Sequence, residues 1–481
     1  MSLSRRRFLA ATSLAAAGAA LPLGCVQAQS TQRIPDAAPI DPRAPRGGTP
    51  RNVILMIPDG FGIASATMAR MATGRKLALD SFVTGHCGTQ SSDSFVTDSA
   101  AAGTALASGV RSYNGAIGMD DARRPVASLL EAARARSMKT GLVTTTRMTH
   151  ATPAVFAAHV TSRAMEEEIA LQMLATAPDV MLGGGIEFFL PTPEGRRRDG
   201  RDLLAEARAA GYEVITRGPE LATARGERLL GLFSVNHLAY EVDRPNTDQP
   251  SLAEMTRKAL ALLHGTSEGF FVMVEGGRID HAGHGNDAVG HLSDTLAYDA
   301  AVAEALAFAE ADGETLVVSV ADHECGGLSI GRDGRYAFRP EVLLEARASA
   351  EGLMADLARR TGGARANLAA VEATILANAP IEALEDEDRA RLVTALQSTS
   401  QYEPGQSMAA VISRHAVAGW TTGGHTGEDV TIHAAGPGSD QFTGHLENFE
   451  VPRRIAAHLG LDLEAETARL RERMGEAVTT G

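Results

Sequence analysis

Asp280 and His284 lie four residues apart in Asp280-His281-Ala282-Gly283-His284. One helical turn would place that carboxylate and imidazole on the same face. Such a pair suits zinc, although a surface turn with two unrelated polar groups has the same text. Asp322-His323 closes the apolar run Leu316–Val320, and Asp59 closes the run Val53–Ile57. A lone Asp after a strand reads as a turn residue, and a lone His in a glycine loop such as Thr421–Gly427, which holds His425, is ordinary. Asp98-Ser99 stands before an Ala- and Gly-rich stretch. It is either a capped helix start or a nucleophile at a helix end that favours anions. Together, these three carboxylates, three imidazoles and one serine can hold two zinc ions. Paired metals clamp the attacking and leaving oxygens of an in-line phosphoryl displacement, and coordination to zinc lowers the pKa of a serine hydroxyl.

Elements must bring these residues together. Val53–Ile57, Phe270–Val274 and Leu316–Val320 are continuous apolar runs, which suit strands buried on both faces. Gly141–Thr145 is a fourth, leading towards His150 and Thr152. Helical segments are predicted at Val126–Ser137 and Ser251–Leu263, the second opened by the capping-box pair Ser251 and Glu254. Strands alternating with helices predict an α/β fold, a three-layer αβα sandwich with a mostly parallel central sheet. Ligands bind such sheets beyond the carboxyl ends of the strands, where the acids and histidines above fall. Residues 331–418 are rich in Ala, Arg and Glu and read as a mainly helical insertion, a cap or a contact between subunits. The expected division is a leader at 1–28, a Pro-, Ala- and Gly-rich linker at 29–50, a catalytic domain at 51–330, the insertion, and 419–481 completing the domain with a C-terminal helix.

The 481 residues carry a formal charge of −14, which does not suit a nucleic-acid partner. An anionic substrate would need a local positive field. Arg5, Arg6 and Arg7 precede a weakly apolar Ala-rich run, as in a twin-arginine signal. The run is too short and weak for a transmembrane anchor. Cleavage near Ala28 would deliver the chain to the periplasm or outside the cell, and lipid attachment at Cys25 is the lesser alternative. Cys87 and Cys325 would then be the remaining cysteines. They read as unpaired buried thiols, with a single bridge as the alternative.

The pieces Ile57–Gly60, Thr97–Ala101, His150–Pro153, His159–Arg163, Val274–His281, Ala321–His323 and Gly424–Gly427, in this order, resemble the alkaline phosphatase family. Leu229–Phe233 and Pro250–Met255 resemble it outside the site. The resemblance implies an alkaline phosphatase-like fold and a metal-dependent phosphomonoesterase with two Zn2+ and one Mg2+. Ser99 would be the nucleophile, passing through a phosphoserine, and Arg163 would hold two phosphate oxygens with its planar fork. Without the resemblance, Arg163 reads as an exposed helix charge. One zinc would take Asp280, His284 and His425, and the other Asp59, Asp322 and His323. Asp59, Thr152 and Glu275 would hold the magnesium. Some members carry Asp where this chain has His150 and Lys where it has His281, and others carry His at both. His150 would ligate the third metal directly or through water, leaving that site open to zinc. His281 would reach the phosphate or its waters, or stand behind the groups that do. The implied substrates are small phosphate monoesters, and the implied assembly is a homodimer. A phosphodiesterase of the same superfamily and a non-catalytic metal- or phosphate-binding protein are the alternatives. A sulfatase is disfavoured because Asp98–Ala101 lacks that family's Cys/Ser-x-Pro-x-Arg context, and a mutase by the export signal.

Overall fold

The structure, a computed structural model, describes residues 48–479. The leader, Cys25 and most of the 29–50 linker lie outside the described residues. Ten strands form the central sheet: β1 (Asn52–Ile57), β2 (Val83–Gly88), β3 (Lys139–Arg147), β4 (Val180–Gly184), β5 (Glu213–Ile215), β6 (Leu229–Leu232), β7 (Phe270–Glu275), β8 (Thr315–Val320), β9 (Val430–Ala435) and β10 (Gly444–Glu447). Their order is β10-β2-β9-β8-β1-β7-β3-β4-β6-β5. All neighbours run parallel except β9, which is antiparallel to both β8 and β2.

The four apolar runs become β1, β7, β8 and β3, which are adjacent in the sheet. Every residue of β1, β7 and β8 is buried. That is what a strand covered on both faces requires, because alternation would put polar groups into a helix layer. Helices Leu129–Ala135 and Leu252–Leu263 pack against the sheet at β3. The long helix Ala288–Asp312 packs along β8 and Leu252–Leu263. The Ser251 hydroxyl accepts from Glu254 N while Glu254 accepts from Ser251 N, the expected capping box.

The helix predicted from Val126 begins only at Leu129. Ser128 caps it, accepting from Glu131 N at 3.1 Å, and the Glu131 carboxylate accepts from Ser128 N. A second box therefore sets this start, with Ser128 itself extended and Val126 and Ala127 outside the helix.

Between residues 331 and 418 lie five helices: Pro340–Leu344, Ala350–Thr361, Leu368–Asn378, Asp386–Gln397 and Glu403–His415. A two-residue antiparallel ladder, Ser329 with Gly419 and Ile330 with Ala418, closes the neck of this block. Cys87 and Cys325 are buried and unpaired, so no bridge links them. No helix among the described residues is long and apolar enough to cross a membrane.

Candidate active site

Because β8, β1, β7 and β3 are parallel neighbours, their carboxyl ends open on one place. Asp59 follows β1, Glu275 ends β7 opposite Ile57, Asp322 and His323 follow β8, and His150 and Thr152 follow β3. The chain leaves β1 through Pro58 and turns at Gly60 (φ +74°). A Cβ at Gly60 would lie 2.6 Å from Asp280 Cα, so this turn needs glycine for both conformation and space.

Asp280 and His284 fall on one turn of the helix Arg278–His284, with Nε2 and Oδ2 3.3 Å apart. His425 reaches Asp280 from a two-residue antiparallel ladder in which it faces Cys325. Its Nε2 is 3.4 Å from Asp280 Oδ1 and 3.1 Å from His284 Nε2. The Nδ1 atoms of His284 and His425 point at the carbonyls of Gly423 and Thr97, both at 2.8 Å. A carbonyl only accepts, so each Nδ1 carries the proton and each Nε2 faces inward. Two inward imidazole nitrogens at 3.1 Å and a buried carboxylate call for a cation between them. In the metal-free state a proton serves. Burial opposes the charge on His284, but the Asp280 carboxylate outweighs it and lifts the imidazole to about 9. Asp280 is held well below its usual range because His284 and His425 outweigh its burial.

A second cluster joins Asp59, Asp322 and His323, all fully buried. His323 Nε2 is 3.2 Å from Asp322 Oδ2 and 3.5 Å from Asp59 Oδ1. A third joins Asp59, His150 and Glu275, with Thr152 Oγ1 donating to Asp59 Oδ2 at 3.2 Å. Asp59 belongs to both. Burial, then the carboxylates of Asp322, Asp280 and Glu275, push Asp59 well above the usual carboxylate range. Burial lifts Asp322 and Glu275 to about 7. Asp59 Oδ1, Glu275 Oε1, Asp280 Oδ1 and Asp322 Oδ2 are buried without a hydrogen-bond partner among the described residues. So many orphaned oxygens in a dry setting are costly unless cations compensate them. The donor set therefore fits metal ions.

Ser99 is the first residue of the helix Ser99–Ser108. Its two sequence readings coincide. Asp98 caps the helix by accepting from Ala101 N, and Ser99 Oγ stands 3.1 Å from His323 Nε2. The whole helix is buried, which its small residues permit. The second oxygen of Asp98 accepts from Arg163 Nη1 at 3.0 Å. Arg163 lies in a turn before the helix Glu166–Thr176 rather than within a helix, and is about one-third exposed. Its other arm meets His150 Nε2 at 3.1 Å. Burial, then Arg163 and His281, hold His150 well below the usual imidazole range. Burial and Arg278 hold His281 down at about 3.

The profile of the alkaline phosphatase family matches residues 50–461. The chain belongs to the alkaline phosphatase family. This family is metal-dependent and acts on small phosphate-bearing substrates. The chain is 37% identical to the repressible alkaline phosphatase of Saccharomyces cerevisiae, over 88% of this chain and 83% of the yeast protein. The alkaline phosphatase of Thermus thermophilus superposes with a TM-score of 0.79 at 33% identity, covering 92% of this chain and 96% of that one. A histidine-to-aspartate mutant of the TAB5 alkaline phosphatase, with magnesium in its M3 site, superposes at 0.64 and 28% identity, covering 87% and 100%. The alkaline phosphatase fold thus carries the αβα layers expected from the strand pattern.

Three residues near the site were not assigned to it from the sequence. The Cys325 thiol lies within the cluster of Asp280, His284 and His425. Its place two residues beyond His323 was the available clue. The His237 ring packs 4.3 Å from that of His281 and 5.5 Å from that of His150. Arg147 holds His237 through Nη1 at 2.6 Å. Arg278, read only as motif text, is buried against His281.

Proposed function

We propose that this chain is an exported phosphomonoesterase that works through a phosphoserine at Ser99. The observation that carries the reading is the place of Ser99 Oγ, at a helix N-terminus and 3.1 Å from the imidazole of one acidic cluster. Asp280, His284 and His425 would hold one zinc ion, Asp59, Asp322 and His323 a second, and Asp59, Thr152 and Glu275 a magnesium ion, with His150 beside it. When bound, the ions supply a lowered pKa for the serine hydroxyl and for water, and charge to offset the phosphoryl oxygens.

The chain's own residues do the rest. Arg163 presents its guanidinium to two phosphoryl oxygens, and Asp98 fixes its orientation. The N-terminus of the Ser99 helix adds backbone dipoles that favour the dianion. Ser99 Oγ gives up its proton and bonds to phosphorus as the ester P–O bond breaks, and the departing alkoxide takes up a proton in its place. Water then attacks the phosphoserine, the Ser99 Oγ–P bond breaks, and inorganic phosphate leaves with the serine restored. Arg163 together with the third set, His150, Thr152 and Glu275, suits a dianionic group, which supports monoesters over diesters. The Arg5–Arg7 leader supports export by the twin-arginine route. We also propose residues 331–418 as the contact of a homodimer, which sedimentation of a chain lacking them would test.

The test is phosphate release from an aryl phosphate monoester by the mature protein after chelation and add-back of zinc and magnesium, beside Ser99→Ala. Activity requiring both metal and Ser99 is expected. A folded, metallated wild type that releases none, or that cleaves diesters or sulfate esters better, overturns the reading.

A further inference from the structure

Arg278 is only 2% exposed, yet it ligates nothing in the proposed scheme. Its guanidinium has three neighbours. Nη1 lies 2.9 Å from His281 Nδ1, Nη2 donates to Glu351 Oε1 at 2.6 Å, and the cation sits 3.8 Å from the centre of the Tyr240 ring. A guanidinium has donors and no lone pair, so His281 Nδ1 must accept. An imidazole accepting at Nδ1 carries its single proton on Nε2. The Arg278 contact therefore selects one tautomer of His281.

Glu351 belongs to the helical block beyond the sheet, in the first turn of Ala350–Thr361. The start of that helix is pinned to the catalytic body. Ala350 N donates to Asp287 Oδ2 at 2.7 Å, Ser349 N donates to Asp243 Oδ1 at 3.3 Å, and the Ser349 hydroxyl bonds to the other oxygen of Asp243. Asp287 itself caps the helix Ala288–Asp312, accepting from Val289 N and Gly290 N. Glu351 is thereby delivered to Arg278 by a docked element rather than by a free surface chain.

We infer that Glu351 and Arg278 are positioning residues through which the inserted helical block fixes His281 as an Nε2–H donor to the bound phosphoryl group. This rests on the proposed phosphomonoesterase and on the first of the two places the resemblance implies for His281, contact with the phosphate or its waters; the His281 ring lies 5.3 Å from that of His150, which Arg163 also meets. Tyr240 completes the device, because its ring covers the guanidinium and limits its motion.

The test uses the metallated enzyme. Glu351 is largely exposed, so Glu351→Ala opens no cavity, and a melting curve checks that the variant is folded; Arg278→Lys, which lacks the planar fork, should weaken phosphate binding likewise. In Glu351→Ala, KM and the inhibition constant for inorganic phosphate should rise about tenfold, the scale of losing an outer support. Zinc content should not change. His281→Ala should weaken phosphate binding at least as much, and adding Glu351→Ala to it should cost nothing more. In 15N-histidine-labelled wild type, the His281 signals, assigned by their loss in His281→Ala, should show a protonated Nε2 and a bare Nδ1. In Glu351→Ala they should move towards a tautomer mixture. Unchanged phosphate inhibition and tautomer in Glu351→Ala, or additive losses in the double variant, overturn the inference. So does a His281→Ala enzyme that binds phosphate like wild type. Failure of the parent reading shows differently, as a wild type that releases no phosphate, and the tautomer measurement does not depend on turnover.

Discussion

Ser99 Oγ and His323 Nε2 meet at 3.1 Å although they arrive by unlike devices, the serine on the first turn of a capped helix and the histidine just past a fully buried strand. Neither has a side chain free to adjust, since both are buried. Ser99→Ala should therefore remove the proposed nucleophile without moving its surroundings. A fall in kcat of at least about 10³ is expected with little change in Tm. Steady-state kinetics and a melting curve on the same preparation check both halves.

Arg163 should not tolerate a lysine. The Asp98 contact and the two-armed geometry require a planar fork, which an ammonium lacks. Arg163→Lys should lower kcat/KM by about tenfold or more and weaken phosphate inhibition in step. An unchanged phosphate inhibition constant would remove Arg163 from the phosphate.

Removing metal should cost stability as well as activity. The orphaned oxygens of Asp59, Glu275, Asp280 and Asp322 crowd one another once no cation separates them. A ligand at a thousand times its dissociation constant stabilises by about 4 kcal/mol, so in a chain this long chelation should lower Tm by roughly 4 °C for each ion lost, reversibly with zinc. Calorimetry with and without chelator measures it.

Away from the site, Glu131 and His159 form a buried pair at 2.9 Å, and His159 Nδ1 faces the Gly118 carbonyl at 2.9 Å. Burial opposes both charges, but each partner outweighs it for the other. His159 is raised above 6.5 and Glu131 lowered below 4.5. The His159 contribution is complete below its unfolded value and is lost as pH rises through the raised folded one. The Glu131 contribution is complete above its unfolded value and is lost as pH falls through the lowered one. The pair is thus worth most between about pH 4.5 and 6.5. Glu131→Gln should cost about 3 kcal/mol at pH 6, and the gap from wild type should narrow as pH rises above that through the raised His159 value. Denaturant midpoints measured across that rise decide it.

Gly60→Ala should damage the site from the backbone. The φ of +74° strains any side chain, and the added Cβ would press on Asp280. A loss of about 1–3 kcal/mol is expected, together with fewer zinc ions held per chain by elemental analysis.

Much of this centre was legible before folding. The runs at β1, β7, β8 and β3 are dense in Val, Ile, Leu and Phe because strands covered on both faces have nowhere to put polar groups. The Asp280–His284 spacing survives as one helical turn. The strands β2, β9 and β10 had no such text. Val83–Gly88 carries two glycines and His86, Gly444–Glu447 is only four residues long, and Val430–Ala435 carries His433. They belong to the sheet through their neighbours rather than through their own pattern. The start of the helix at Leu129 was readable in Ser128-Leu129-Leu130-Glu131, by the rule that located the helix after Ser251. The roles of Arg278 and Glu351 were not, because a contact across 73 residues of helices and loops has no local signature.

The two-residue ladder that sets His425 against Cys325 also has a temporal meaning. At about 5–20 residues per second, a ribosome makes Asp59 some tens of seconds before His425. Through that interval the early carboxylates have no complete cage, and any metal they meet is held by partial sets. If His425 closes the proposed set, the first complete cage forms only when residue 425 docks, so the first ion is captured in whichever compartment that happens. That first ion should come from the metal pool of that compartment, and later exchange then brings the occupancy towards the preference of the ligands.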